Sequence, residues 1–390
     1  MNLQEIQAEL KAQKIDGWLF YDHHRRDPIA LRILGSREGM NTRRWFYLIP
    51  ARGEPRKLVH RIESTALDHL PGTKVVYSSR QELESGLRKI LGRTGTLAMQ
   101  YSPRNEIFYV SMVDAGTVEL VRSLKRRVVT SADLVQKFEA SWTPEQVESH
   151  RAAGRLVDKI TQDAFRRAAD HVREGRPLTE FDLVQWMLGE FRANGLETED
   201  GPNASVGPSS GDPHYEPRAG TSRTIRAGEL LLLDVWAKLA QPGSVYYDIT
   251  WMGFLGAEVP ARYGKLFSIA REARDAAVAF VQKNVRAGRP IAGFEVDRVA
   301  RGIIRKAGYG KNFVHRTGHS IGRDVHGAGA NMDDLEIHDV RRILPHTCFS
   351  IEPGIYFPTF GIRTEVNVYV DDHDAGTTGA VQQEILPLLV

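Results

Sequence analysis

The chain has 390 residues, 42% hydrophobic and 26% charged, with a mean hydropathy of −0.34, which suits two or three domains with sizeable cores. Its formal net charge of +3 is too small to suggest nucleic acid, and no apolar run approaches the roughly 20 residues that span a bilayer. The one cysteine, Cys348, excludes an intrachain disulfide and fits a reducing, cytoplasmic compartment.

Taken in chain order, Met1 to Lys14 reads as an amphipathic helix of mixed charge, without the apolar stretch and cleavage site of a signal peptide. Short strands are expected at Gly17 to Tyr21, Trp45 to Ile49, Lys57 to His60, Lys74 to Tyr77 and Thr96 to Gln100, and a helix at Gln81 to Leu91. Residues 1–140 therefore read as an α/β domain. The basic run Arg122 to Arg127 reads as a solvated face. Near Ala140 a boundary is expected, because Thr143-Pro144-Glu145-Gln146 offers an N-cap, a proline at the first helical position and a glutamine three residues after the cap. A long helix should run from there to about His171.

Residues 141–390 contain an internal duplication. Val172-Arg-Glu-Gly-Arg-Pro177, followed by Phe181, recurs 113 residues later as Val285-Arg-Ala-Gly-Arg-Pro290, followed by Phe294, and Arg192 and Gly195 recur as Arg305 and Gly308. Each copy follows a long helical stretch and precedes a second helix and strands. The pattern predicts two like halves related by a pseudo-twofold axis, and an α+β fold for this domain.

Both halves carry paired acids. Leu230 to Trp236, containing Asp234, and Ser244 to Trp251, containing Asp248, read as strands joined through Gln241-Pro242-Gly243, with Asp234 directly opposite Asp248. Glu352 and Glu365 occupy a second hairpin that turns near Pro358. An acid among four leucines must be paired, protonated or bound to a cation. For any one of the four, a salt bridge to arginine is the simpler reading. Four at matched offsets would repel one another unless cations lie between them, and two divalent ions would serve.

Among the histidines, His319 in Gly318-His-Ser-Ile-Gly322 is flanked by glycines that let the backbone come close to a metal; the same glycines argue against a continuous helix, and no glutamate follows His315, so His315 and His319 are not a zinc pair on one helix face. His326 and His214 lie 112 residues apart, close to the duplication offset. A hydrogen-bonded structural role is the simpler reading for His315 and for His23 and His24 beside Arg25 and Arg26.

The order Asp234, Asp248, Gly-His319-Ser-Ile-Gly, Ile-Glu352-Pro-Gly-Ile-Tyr, Gly-Ile-Arg-Thr-Glu365 resembles the ligand set of the pita-bread metallopeptidases, a family that includes methionine aminopeptidase, aminopeptidase P and prolidase, with the non-metal creatinase as a relative. The resemblance is specific from about Trp142 onward and general before it. It implies a duplicated pita-bread catalytic domain behind an N-terminal α/β domain that narrows access to the site. It further implies two divalent ions (manganese, cobalt or zinc) on Asp234, Asp248, His319, Glu352 and Glu365, with Asp234 and Glu365 bridging. Glu352 would also move protons, His214, His315 and His326 would line the substrate site, and Arg363 would stand beside the last ligand. In that scheme water attacks the scissile carbonyl, Glu352 carries its proton to the leaving nitrogen and His326 steadies the oxyanion, with His214 assisting.

The expected activity is hydrolysis of Xaa-Pro dipeptides, with aminopeptidase P action on longer peptides as the alternative. A hydrolase of small amides and a non-catalytic binding module rank behind these. A homodimer and short proline-containing peptides are the implied partners. The chain departs from the family pattern at Trp236, at Thr250-Trp251-Met252 and at Gly327. These departures put substrate preference in question, with Trp236, Trp251 and Met252 expected near the pocket.

Overall fold

The structure is a computed structural model and describes residues 2–35 and 41–390. The chain forms two compact units, Met1–Glu139 and Ala140–Val390. No helix among the described residues is long and apolar enough to cross a membrane.

The first unit is built on strands β1 (Gly17–Asp22), β2 (Trp45–Pro50), β3 (Arg56–His60), β4 (Thr73–Tyr77), β5 (Thr96–Met99) and β6 (Arg127–Thr130), with helices α1 (Leu3–Ala12), α2 (Pro28–Leu34), α3 (Arg80–Leu91), α4 (Ala115–Ser123) and the one-turn α5 (Ala132–Val135). The sheet order is β4-β3-β2-β1-β5-β6. β1 and β2 are antiparallel and β5 and β6 run parallel to β1 and to each other. All six residues of β1 are buried, because alternate side chains point to opposite faces and both are covered. Leu19 joins the cluster under α3 and α4 with Leu83, Leu87, Val118 and Val121, while Trp18 faces the other way toward Phe138.

β1 runs into a basic turn in which His24 and Arg25 both take left-handed backbone, with φ of 63° and 57°. Asp22 holds this turn, its Oδ1 accepting from the backbone N–H of Arg26 and Asp27.

The second unit opens with α6 (Pro144–Arg173), whose N-terminus has the full capping box between Thr143 and Gln146 with Pro144 at the first position. Its buried residues Ala153, Val157, Ile160, Ala164 and Ala168 recur at three- and four-residue steps, the spacing of one helix face. α7 (Glu180–Ala193), β7 (Leu196–Glu197), β8 (Asn203–Val206), β9 (Leu230–Leu239) and β10 (Tyr247–Phe254) complete the first half. The second half contains α8 (Ala261–Arg286), α9 (Gly293–Lys306), β11 (Ser320–Ile321), β12 (Thr347–Ile351), β13 (Gly354–Phe357), β14 (Phe360–Arg363), β15 (Val366–Val370), β16 (Ala375–Thr378) and β17 (Leu386–Pro387). One sheet has the order β17-β10-β9-β7 with β8 also on β9; the other has the order β11-β12-β15-β16, and β13 and β14 form a separate ribbon. α6 lies on β9 and β10, and α8 on the strands of the second half, so each half is a helix pair packed against a hairpin.

The two hairpins differ in register. On β9 and β10 Asp234 is opposite Thr250, and Asp248 is opposite Trp236. The direct Asp234–Asp248 opposition expected from the sequence is therefore corrected to a diagonal one. The turn at Gln241 is present, with Ser244 N–H donating to the Gln241 carbonyl, but Tyr246 N–H donates to the Gly322 carbonyl instead of entering the ladder. β10 thus begins at Tyr247 rather than Ser244, and the pairing moves by two residues. An even shift keeps both acids on one face. In the second hairpin one continuous register pairs Ile351 with Val366 and Gly354 with Arg363, which puts Glu352 directly opposite Glu365 where the two ladders meet.

Candidate metal centre

Asp234 is delivered by the middle of β9, Asp248 by the start of β10, and Glu352 and Glu365 by the break between two ladders. Asp234 follows the buried run Leu230 to Leu233, and Asp248 sits one residue into β10 at 4% exposure. Glu365 is buried between Arg363 and Val366, and its N–H donates to the Thr250 carbonyl (3.3 Å), tying the two halves together. Glu352 N–H donates to the Thr317 carbonyl (2.7 Å). His319 arrives on the segment before β11. A Cβ on Gly318 would stand 1.9 Å from the Ser350 carbonyl oxygen, so this glycine is required by the backbone of β12.

Oxygen and nitrogen atoms of Asp248, His319 and Glu365 all lie within 4.8 Å of one another. His319 Nδ1–H donates to the Ser320 carbonyl (3.2 Å), which leaves the Nε2 lone pair facing Asp248 Oδ2 at 3.4 Å and Glu352 Oε1 at 3.5 Å. The Ser350 hydroxyl accepts from His319 N–H (3.0 Å) and donates to Glu352 Oε1 (3.2 Å). Asp248 Oδ1 is buried without a hydrogen-bond partner.

Arg363 is the cation built into this cluster. Its guanidinium is paired with Asp234 Oδ2, donates to Thr250 Oγ1 (2.9 Å) and approaches the Tyr356 hydroxyl (3.4 Å). Thr250 in turn donates to Glu365 Oε2 (2.7 Å). The salt-bridge reading therefore holds for Asp234. Burial, reinforced by the charges of Asp234 and Glu352, holds Asp248 well above the ordinary carboxylate range. Burial and the charge of Asp248 do the same to Glu365. Glu352 is pushed up to about 7, chiefly by burial, against the opposing pull of Arg363 and Arg316. Burial and the charges of His326 and Arg316 press His319 well down, so its imidazole is neutral.

The remaining histidines occupy three different environments. His326 stacks edge-on to His319 with ring centroids 4.4 Å apart and is open to solvent. His214 is exposed on the turn after Gly211, close enough for its charge to act on His326. His315 stands behind the site with both nitrogens engaged: Nδ1–H donates to the Arg316 carbonyl (2.7 Å) and Nε2 accepts from the Tyr356 hydroxyl (2.8 Å). It supports Tyr356 and, through it, Arg363. Met252 and Trp251 are not where the sequence suggested. Met252 lies in the core with Phe254 and Phe267, and Trp251 points to the face of β10 opposite Asp248, against the core under α6. Trp236 does stand across from Asp248.

Ser350 and Asn367 were not singled out from the sequence, while Thr250 and Tyr356 entered only as members of motifs and without a role. Single polar residues in apolar strands carry no signal until their partners are known.

A duplicated α+β scaffold that gathers carboxylates and one neutral imidazole from both halves is the architecture of a metal-dependent hydrolase. The chain belongs to metallopeptidase family M24, whose sequence pattern matches residues 148–372. It is 29% identical over 242 residues to the Xaa-Pro dipeptidase of Lactobacillus helveticus, an alignment covering 60% of this chain and 58% of that protein. It is 25% identical over 362 residues to the probable dipeptidase PepE of Mycobacterium tuberculosis, covering 91% of this chain and 88% of the other. The crystal structure of dipeptidase PepE from Mycobacterium ulcerans superposes with a TM-score of 0.76 at 23% identity, covering 99% of this chain and 96% of that one. The pita-bread α+β fold expected from the sequence is the fold of the second unit.

Proposed function

We propose that the chain is a cytoplasmic exopeptidase that hydrolyses the Xaa-Pro bond of dipeptides with two divalent ions held by Asp234, Asp248, His319, Glu352 and Glu365. The observation that carries this reading is the excess of acid. Four carboxylates converge on Arg363, a lone pair of His319 faces two of them, and a buried oxygen of Asp248 has no donor. Such a set fits hard or borderline divalent ions and leaves manganese, cobalt and zinc equally acceptable. Ions bound there would polarise the scissile carbonyl and lower the pKa of water toward neutrality.

The chain's own residues supply the rest. Glu352, held by Ser350, takes the proton of the attacking water and delivers it to the leaving nitrogen. A proline nitrogen is a tertiary amide with no hydrogen of its own, so it leaves only when protonated. His326, beside His319 and open to solvent, donates to the developing oxyanion. Arg363 is committed to Asp234 and Thr250, so we assign the free carboxylate of a dipeptide to the exposed His214 or to an arginine of the N-terminal domain. Both curated relatives described above are named dipeptidases, which supports the shorter substrate.

The test is hydrolysis of an Xaa-Pro dipeptide beside an Xaa-Pro-Yaa tripeptide, with manganese, cobalt or zinc supplied. Faster turnover of the dipeptide is expected. Preference for the tripeptide would make the chain an aminopeptidase, and cleavage of neither would end the proline assignment.

A further inference from the structure

β10 pairs with β9 along one edge. On its other edge, among the described residues, no strand pairs with Tyr247 to Met252; β17 meets only Gly253 and Phe254. Backbone groups buried there still need partners. Two carboxamide side chains supply them. Asp248 N–H donates to Asn367 Oδ1 (3.2 Å) while Asn367 Nδ2 donates to the Asp248 carbonyl (2.7 Å). Gln382 treats Met252 in the same way, accepting from its N–H (2.9 Å) and donating to its carbonyl (2.6 Å). Each amide reproduces the paired bonds of a missing strand residue.

The two clamps differ in what they connect. Asn367 is fully buried on β15, two residues beyond Glu365, and its own backbone is fixed on both sides, in register with Ser350 of β12 and Thr378 of β16. Its carboxamide is therefore a rigid strut from the strand that follows Glu365 to the residue that carries Asp248. Nothing comparable holds the Asp248 side chain, whose Oδ1 has no partner. Gln382 grips the same strand four residues further on, and its hydrogen bonds among the described residues go to Met252 and Arg274.

We propose that Asn367 is a positioning residue of the metal centre, its carboxamide setting the distance between Asp248 and Glu365, which come from opposite halves of the duplicated unit. The proposal rests on the metal-centre reading above. Groups that orient a ligand typically matter ten- to a hundredfold in metal affinity.

The test compares Asn367→Leu with Gln382→Leu in the full-length chain. Each removes one carboxamide and two hydrogen bonds to β10. Manganese affinity is measured by calorimetry on metal-depleted protein, the cobalt(II) form is followed by its visible spectrum, and melting temperature reports folding. We expect Asn367→Leu to weaken manganese at least tenfold and to alter the cobalt bands. Gln382→Leu should lower the melting temperature comparably while changing affinity less than threefold. Equal losses of affinity in the two variants would reduce Asn367 to a structural residue and overturn the proposal, as would an Asn367→Leu variant that binds manganese within twofold of the parent with an unchanged spectrum. Should Asn367→Leu not fold, Asn367→Ser, which leaves room for water, is measured the same way; at least a threefold loss is expected, and unchanged affinity overturns the proposal. A parent chain that binds none of manganese, cobalt or zinc would overturn the metal-centre reading itself and this proposal with it.

Discussion

Replacing Glu352 by glutamine should make the metal-free protein more stable and the metal-loaded protein less so. Without ions, burial and the nearby Asp234 charge raise the Glu352 carboxyl from 4.5 to about 7. Its side chain is 13% exposed, so solvent screening is slight. Each pH unit between unfolded and folded values corresponds to about 1.4 kcal/mol, so ionising this group costs the folded state about 3 kcal/mol.

The sign follows from proton counts. Between pH 4.5 and 7 the folded chain binds more protons than the unfolded one, so metal-free stability falls as pH rises through that window and is lowest above it. Glutamine keeps the shape and the acceptor for Ser350 without the charge. In EDTA at pH 8 the variant should therefore melt higher than the parent, by roughly 6–12 °C on the usual scaling for a unit of this size. At pH 5 the difference should shrink to about 1 kcal/mol or less. With manganese the order should invert, because the variant has lost a ligand, and turnover should collapse. Melting curves at pH 5 and pH 8, each with EDTA and with manganese, make the comparison. A variant that melts at or below the parent in EDTA at pH 8 would refute the premise that the cluster is electrostatically frustrated.

Two further outcomes test the scaffold. Gly318→Ala would place a methyl 1.9 Å from the Ser350 carbonyl and force apart the segment carrying His319 and the strand leading to Glu352. A loss of roughly 3 kcal/mol or more is expected in chemical denaturation, where overpacked sites fall. His150 is fully buried, with Nδ1–H donating to the Tyr246 carbonyl and Nε2 accepting from Thr378, and burial lowers it to about 4. As pH falls from 6.5 to about 4 the unfolded chain takes up a proton that the folded chain refuses, so stability should drop by about 3 kcal/mol. His150→Asn should flatten that part of the pH–stability curve.

Much of this was legible in the sequence because it depended on parity and periodicity. Asp234 and Asp248 share a face because a strand alternates, and a slip of two residues leaves that unchanged. The slip itself was not legible, since it depends on Tyr246 bonding to Gly322, a contact between distant segments. Arg363 could be placed beside Glu365 by the same two-residue step, but its commitment to Asp234 required the fold. α2 and α4 were overlooked although Asp27-Pro28 and Asp114 are sound N-terminal signals, each with a side chain accepting from the first turn. β6 has four residues and emerges from the basic run at Arg127, where charge masked the alternation. Trp251 was misplaced for a different reason: sequence proximity to Asp248 was read as spatial proximity, and the pleat sends neighbours to opposite sides.

The staggered register of β9 and β10, set against the direct opposition of Glu352 and Glu365, makes the tandem copies unequal containers. One half presents its acids squarely and the other obliquely, so any ions held between them would meet inequivalent surroundings. The stagger also shows which lengths of the connecting loop evolution can explore. Drift in whole pleats leaves Asp248 aimed inward, whereas a single-residue frame change would rotate it beneath α6 and abolish the site at once.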